Sequence, residues 1–201
     1  MQDLGEKRIY EALSLMGEYL REEDLGPYRL VIGGGAALIA RSLVSRTTKD
    51  VDIVALLDDD GKLISPDPLP KELLSVAETV QHTLDLKDEW LNNGPSREPG
   101  GLFQLGLPDG LVERLSRRDF GTRLTAFFLD RCDHIHLKLY ASVDAGPGRH
   151  VDDLLELNPT GEELAAASKW AIRQDPSGEF RIMLISMLEN LGFHDVAQRI
   201  Q

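Results

Sequence analysis

Cysteine is almost missing from this chain: among 201 residues there is one, Cys132. A lone thiol closes no internal disulfide, and it excludes a cysteine-based structural zinc site. It is expected to be a small buried hydrophobe. Long apolar runs are missing too, since none approaches the roughly 18 residues that cross a bilayer, and no membrane contact is expected. The opening MQDLGEKRIYEAL lacks the basic-then-apolar pattern of a secretory signal. With the single cysteine, this makes the cytoplasm the simplest expected location. Positive charge is scarce as well: 22 Lys and Arg stand against 34 Asp and Glu, for a formal net charge of −12. That excludes generic nucleic-acid binding through a broadly positive surface, while leaving room for a local basic pocket. The densest arginine stretch is ERLSRRDFGTR, residues 113–123, where Arg114, Arg117, Arg118 and Arg123 are set against Glu113 and Asp119. Such clusters are mostly solvated surface.

What is present is a globular composition, 42% hydrophobic and 28% charged. It suits one domain with a helical appendage, or two small domains. Residues 5–22 place Ile9, Leu13, Met16 and Leu20 on one helical face. LGPY breaks that helix and YRLVI begins a strand. Residues 58–70, with an acidic run and several prolines, read as a loop, and KELLSVAETVQHTL as a helix. NNGPSREPGG, residues 92–101, is the clearest loop and the segment expected to be most mobile. TRLTAFFLD reads as a strand, followed by a helix DHIHLKLYASVDAG and a short one over VDDLLEL. Thr160 and Glu163 form a capping box that starts another helix, and SGEFRIMLISMLENLGFHDVAQRI supplies one or two more. Strands are thus expected between residues 28 and 130, and helices after that. The expected division is a core over residues 1–130 and a helical part over 131–201.

The segment VIGGGAALIARSLVSRTTKDVDIVALL, residues 31–57, carries the chemistry. It reads as a strand, a triple-glycine turn, the helix AALIARSLV and a second strand that opens with Asp50 and Asp52. Two carboxylates two residues apart on a strand point to one face. They repel each other unless a cation lies between them, and magnesium accepts one or two carboxylates plus substrate phosphates. Gly33 to Gly35 let a phosphate approach the backbone ahead of a helix N-terminus. A GGG turn alone is usually just a tight turn, and an Asp-x-Asp pair alone is usually solvated. The two in this order are far more specific. A Rossmann site requires a third glycine that GGGAAL does not place, and a Walker loop requires a Gly-Lys-Ser/Thr that is absent.

Gly34-Gly35 followed by Arg46, Thr48, Asp50 and Asp52, in the pattern R-x-T-x-D-x-D, resembles the nucleotidyltransferase superfamily that includes DNA polymerase β. More narrowly the chain resembles the AbiEii-like nucleotidyltransferases of bacterial toxin–antitoxin systems and their relatives. DEWLNNGP, LGLPDGLVERL and LKLYASVDAGPGRHVDDLLELNPTGEEL echo later segments of such proteins, so that the likeness covers about residues 28–170. The resemblance implies an α+β fold: a mixed sheet with flanking helices and a helical C-terminal part. It implies that Gly34 and Gly35, with Arg46 and Thr48, serve the triphosphate, and that Asp50 and Asp52 bind Mg2+ or Mn2+. Lys138 matches a lysine expected to contact the nucleotide, and Asp152 or Asp153 matches a further motif. Two departures stand out. The Gly35–Asp50 segment is slightly longer than the family pattern, and the third carboxylate has no clear match, Asp130 being the candidate.

The implied reaction moves a nucleoside monophosphate from an NTP to an acceptor hydroxyl on tRNA, a protein or a small molecule, with an antitoxin as a candidate partner. The alternative from another class is a non-catalytic nucleotide-binding or protein-interaction module on the same fold, favoured by the missing third acid. An aminoglycoside-type small-molecule transferase ranks last. Several residues also have plainer readings. Lys138 in an apolar helix can snorkel to solvent. Arg46 can pair with Asp50 or Asp52, or bind phosphate. His134 and His136 point to different sides of a helix, Asp58 to Asp60 form a solvated turn, and Trp90 and Trp170 serve packing.

Overall fold

The computed structural model describes residues 3–97 and 99–200. They form a mixed α+β structure that divides into two compact units, residues 1–130 and 131–201.

The first unit is built on a six-stranded mixed sheet. Its order along the chain is α1 (Glu6–Glu22), β1 (Tyr28–Gly33), α2 (Gly34–Ala40), β2 (Val51–Leu57), β3 (Leu63–Ile64), α3 (Lys71–Leu84), β4 (Leu91–Asn92), α4 (Leu102–Leu105), α5 (Leu111–Arg114), β5 (Ser116–Asp119) and β6 (Leu124–Phe128). The sheet order is β3-β2-β1-β6-β5, and β4 also pairs with β2. β1 lies at the centre, antiparallel to β2 and parallel to β6. Leu30, Val31 and Ile32 are therefore buried whichever face they point to, as a central strand covered on both sides demands. The α1 stripe of Ile9, Leu13, Met16 and Leu20 is wholly buried. Gly17 lets this helix come close: a Cβ there would stand 2.0 Å from the Phe120 carbonyl oxygen.

A β-bulge between Val31 and Ile32 sets the register that matters most. Leu30 and Val31 face Leu56 and Ala55, but Ile32 faces Ile53 and Gly33 faces Asp52. Without the shift Gly33 would face Ile53. Bulges re-aim side chains in this way beside functional sites.

The second unit is all helical: α6 (Arg131–Ala145), α7 (Arg149–Glu156), α8 (Gly161–Gln174), α9 (Gly178–Asn190) and α10 (His194–Arg199). The expected capping box is in place. The Thr160 hydroxyl accepts from the Glu163 N–H at 3.2 Å, and the Thr160 N–H donates to Glu163 Oε2 at 2.8 Å. Tyr140 sits between two aromatic rings, edge-on to Trp170 at 5.9 Å and tilted against Phe180 at 5.3 Å between centroids.

Several expectations require correction. The helix after the glycines ends at Ala40, short of the expected Val44, because Ser42 turns the chain at φ +53°. The presumed loop over 58–70 contains β3, with Asp58 accepting from the Lys62 N–H at 2.8 Å across the hairpin. The first part of the 92–101 segment, expected to be loop, contains the end of β4 and two anchored side chains. Asn93 is buried and donates to the Pro66 carbonyl, and the buried Ser96 hydroxyl donates to the Val54 carbonyl at 2.7 Å. Glu98 lies outside the described residues. The arginine-rich stretch is largely exposed, as expected; its residues Ser116–Asp119 form the edge strand β5, where Arg117 pairs with Asp119 at 2.9 Å and Arg118 lies 3.6 Å over the Tyr10 ring. Cys132 is half-buried, not buried. Among the described residues no helix is long and apolar enough to cross a membrane.

Candidate functional site

The end of β1 and the start of β2 bring the R-x-T-x-D-x-D residues onto the glycine turn. Gly34 has φ +59°, in the left-handed region that glycine alone adopts without strain. A Cβ there would stand 2.1 Å from Asp52 Oδ2. At Gly35 a Cβ would stand 2.8 Å from Thr48 Oγ1 and 3.0 Å from an Arg46 guanidinium nitrogen. The glycines are therefore the floor on which Asp52, Thr48 and Arg46 rest. This gives a local reason for the acids near the strand: Asp52 packs against bare backbone, where no side chain competes for space.

The connecting segment is tied down by its own polar groups. Thr48 is 2% exposed, and its backbone exchanges hydrogen bonds with Leu4 at 2.6 and 2.9 Å. Its hydroxyl donates to Asp50 Oδ1 at 3.2 Å. The Arg46 guanidinium donates to the Thr47 carbonyl at 3.0 Å. Asp50 stands one place ahead of β2, and both Asp50 and Asp52 are half-buried. Among the described residues, no group of three or more His, Cys, Asp or Glu side chains gathers as a metal site. Two carboxylates beside a glycine floor nevertheless suit magnesium, which completes its shell with phosphate oxygens and water.

Asp130 follows β6. Because β6 runs parallel to β1 and the Leu129 N–H donates to the Ile32 carbonyl at 3.0 Å, Asp130 leaves the sheet at the same end as Gly34. Its carboxylate is held by Arg41 at 3.0 Å. Arg41, at the C-terminus of α2, carried no signal in the sequence. Asn92 carried none either, yet β4 sets it in register with Asp52 on the flank of β2 opposite β1.

Lys138, Asp152 and Asp153 belong to the second unit. Lys138 Nζ lies 2.7 Å from Asp153 Oδ2, the two side chains being 9% and 2% exposed. The expected snorkelling of Lys138 is thus replaced by a buried ion pair, as burial of an ammonium group requires. Asp152, one place along α7, points to solvent and has no part in that pair. Ser142 donates to the Lys138 carbonyl at 2.6 Å. His134 is buried, while His136 meets Trp170 edge-on at 5.8 Å, so the His-x-His rings diverge. Trp90 and Trp170 are both buried packing residues, and the Trp90 indole N–H donates to the Ala77 carbonyl at 2.8 Å.

Compared with protein-family models, with curated proteins and with solved structures, the chain matches none.

Proposed function

We propose that the chain is a metal-dependent nucleotidyltransferase whose first unit is a nucleotidyltransferase-like core, related to the AbiEii-like enzymes that its motif resembles. The observation that carries this reading is the seating of Asp52 on Gly34. A carboxylate and a side-chain-free turn occupy one place, with Gly35, Thr48 and Arg46 beside them. A packing role alone would not call for an acid there.

In this reading Gly34 and Gly35 offer backbone to the triphosphate, and Arg46 supplies positive charge to its phosphates. Asp50 and Asp52 would hold the magnesium or manganese ion, which when bound neutralises charge on the phosphate oxygens. Thr48 fixes Asp50 through its hydroxyl and so keeps that carboxylate in one orientation. An acceptor hydroxyl oxygen forms the new bond to the α-phosphorus, and the bond to the β-phosphate oxygen breaks, releasing pyrophosphate. The hydroxyl proton passes to a nearby carboxylate, for which Asp130 is the candidate once Arg41 releases it. Most of the catalysis is positioning and electrostatics, as in phosphoryl transfer generally. Lys138 and Asp153, locked to one another within the second unit, act as a structural pair, and Asp152 has no assigned part. The acceptor is a hydroxyl of tRNA, protein or a small molecule, the expected compartment is the cytoplasm, and an antitoxin is a candidate partner.

The Arg41–Asp130 ion pair favours a second reading, a nucleotide-binding or protein-interaction module without turnover. One experiment separates them: incubation with each labelled nucleoside triphosphate, magnesium, total tRNA and a protein extract, beside the Asp50→Ala, Asp52→Ala double variant. Label transfer lost in the variant supports the transferase. Magnesium-dependent nucleotide binding without transfer supports the module. Absence of both removes the nucleotide reading.

A further inference from the structure

Two arginines flank the glycine turn, one on each side of β1. The central strand has β2 on one flank and β6 on the other. Arg46 serves the β2 side, where a Cβ on Gly35 would meet its guanidinium. Arg41 serves the β6 side. It caps the C-terminus of α2, a helix of seven residues and so only about 10 Å long. Helical side chains lean back towards the N-terminus, and Arg41 does so far enough to hold Asp130 at 3.0 Å. The last paired positions of β1 and β6 are Ile32 and Phe128, so Asp130, two places on, is the counterpart of Gly34. The Arg41 guanidinium is thereby drawn to the strand ends beside the turn.

This pair is built differently from Lys138–Asp153. There the side chains are 9% and 2% exposed, and opening the pair would strand charge in the interior. Arg41 and Asp130 are 27% and 29% exposed. A pair so placed contributes little, because water solvates each partner once it opens. Arg41 has no other side-chain partner among the described residues. A phosphate group offers arginine more charge than a carboxylate and the same paired acceptor geometry. Exchange of the carboxylate for a phosphate is therefore favoured.

We infer that Arg41 is a phosphate-binding residue held in reserve by Asp130. A triphosphate seated on the glycine turn takes the guanidinium from the carboxylate, and Asp130 is left ready to receive the acceptor's proton only when substrate is in place. The inference rests on the nucleotidyltransferase reading for where the phosphates lie, and it adds the regulation of that site. Inorganic tripolyphosphate with magnesium is the probe, since it carries the phosphates and has no base to select. Calorimetric titration of the full chain reads its affinity without any transfer.

Arg41→Gln is expected to weaken tripolyphosphate binding at least fivefold. Asp130→Asn, which releases Arg41, is expected to tighten it at least threefold. Both substitutions break the same ion pair, so a merely structural pair would move the two affinities in one direction. The double variant decides the cause: it is expected to match Arg41→Gln, because without Arg41 there is nothing for Asp130 to restrain. If Asp130→Asn tightens binding equally in the Arg41→Gln background, removal of a repelling charge explains the effect and the inference is overturned. Unchanged affinity in either single variant, or weakening in Asp130→Asn, overturns it too. Binding that needs Asp50 and Asp52 but ignores Arg41 keeps the transferase reading and removes this role of Arg41. Opposite shifts in a chain that transfers no label keep the role of Arg41 and leave the nucleotide-binding module. No binding by the parent removes both.

Discussion

Gly34 and Asp52 share one place in the structure: a Cβ on the glycine would stand 2.1 Å from the aspartate's Oδ2. Two costs therefore meet in Gly34→Ala. An L-residue in the left-handed region costs about 1–2 kcal/mol, and the Asp52 carboxylate must move aside. The variant is expected to lose more than that amount in denaturant unfolding and to lose nucleotide affinity with it. Gly178→Ala is the control, because nothing lies within 4 Å of a Cβ there. Equal behaviour of the two variants would show that the glycine turn is only a turn.

Asp52→Asn keeps the shape and removes the charge. If Asp52 holds the metal, label transfer should fall by about a thousandfold, the rate equivalent of the several kcal/mol a bound cation supplies. The thermal transition should move little, since the amide fits the same space over Gly34. A variant that retains transfer would place the chemistry elsewhere.

The Lys138–Asp153 pair gives a stability prediction that does not depend on function. Removing one partner leaves the other charge buried and uncompensated, which costs about 3–5 kcal/mol. Lys138→Met and Asp153→Leu should each reach that range, and the double variant should cost less than either alone. Asp152→Leu, on the exposed side of α7, should fall within about 0.5 kcal/mol of the parent. Additive losses in the double variant would mean that the two groups do not interact.

Acid should weaken the start of α8 through Glu163. Hydrogen bonds from Arg131, and then from Thr160, hold its carboxyl down at about 2, against an ordinary 4.5, with burial opposing them. A folded value below the unfolded one adds stability that is complete above about 4.5 and disappears as the pH falls towards 2. The stability difference between the parent and Glu163→Gln should therefore be constant near neutrality and shrink across that window. Urea midpoints at pH 7, 5, 4 and 3 would measure it. A difference that does not change with pH would show that the carboxylate charge contributes nothing there.

The sequence by itself determined the features that depend on near neighbours along the chain. The periodicity of Ile9, Leu13, Met16 and Leu20, the Thr160–Glu163 box and the concentration of strands before residue 130 were all legible, because each rests on spacings of a few residues. The glycines and the aspartates were legible as two short patterns, GGG and D-x-D, within one stretch of the sequence. Only the tertiary structure decided what faces what. The bulge at Val31–Ile32 sets Asp52 rather than Ile53 opposite Gly33, and in a strand a slip of one residue exchanges the two faces. The choice between Asp152 and Asp153 depends on the rotation of α7 against α6. Asn92 reached Asp52, and Arg41 reached Asp130, across 40 and 89 positions of chain. No local pattern encodes contacts of that separation; they follow from how the sheet closes around β1.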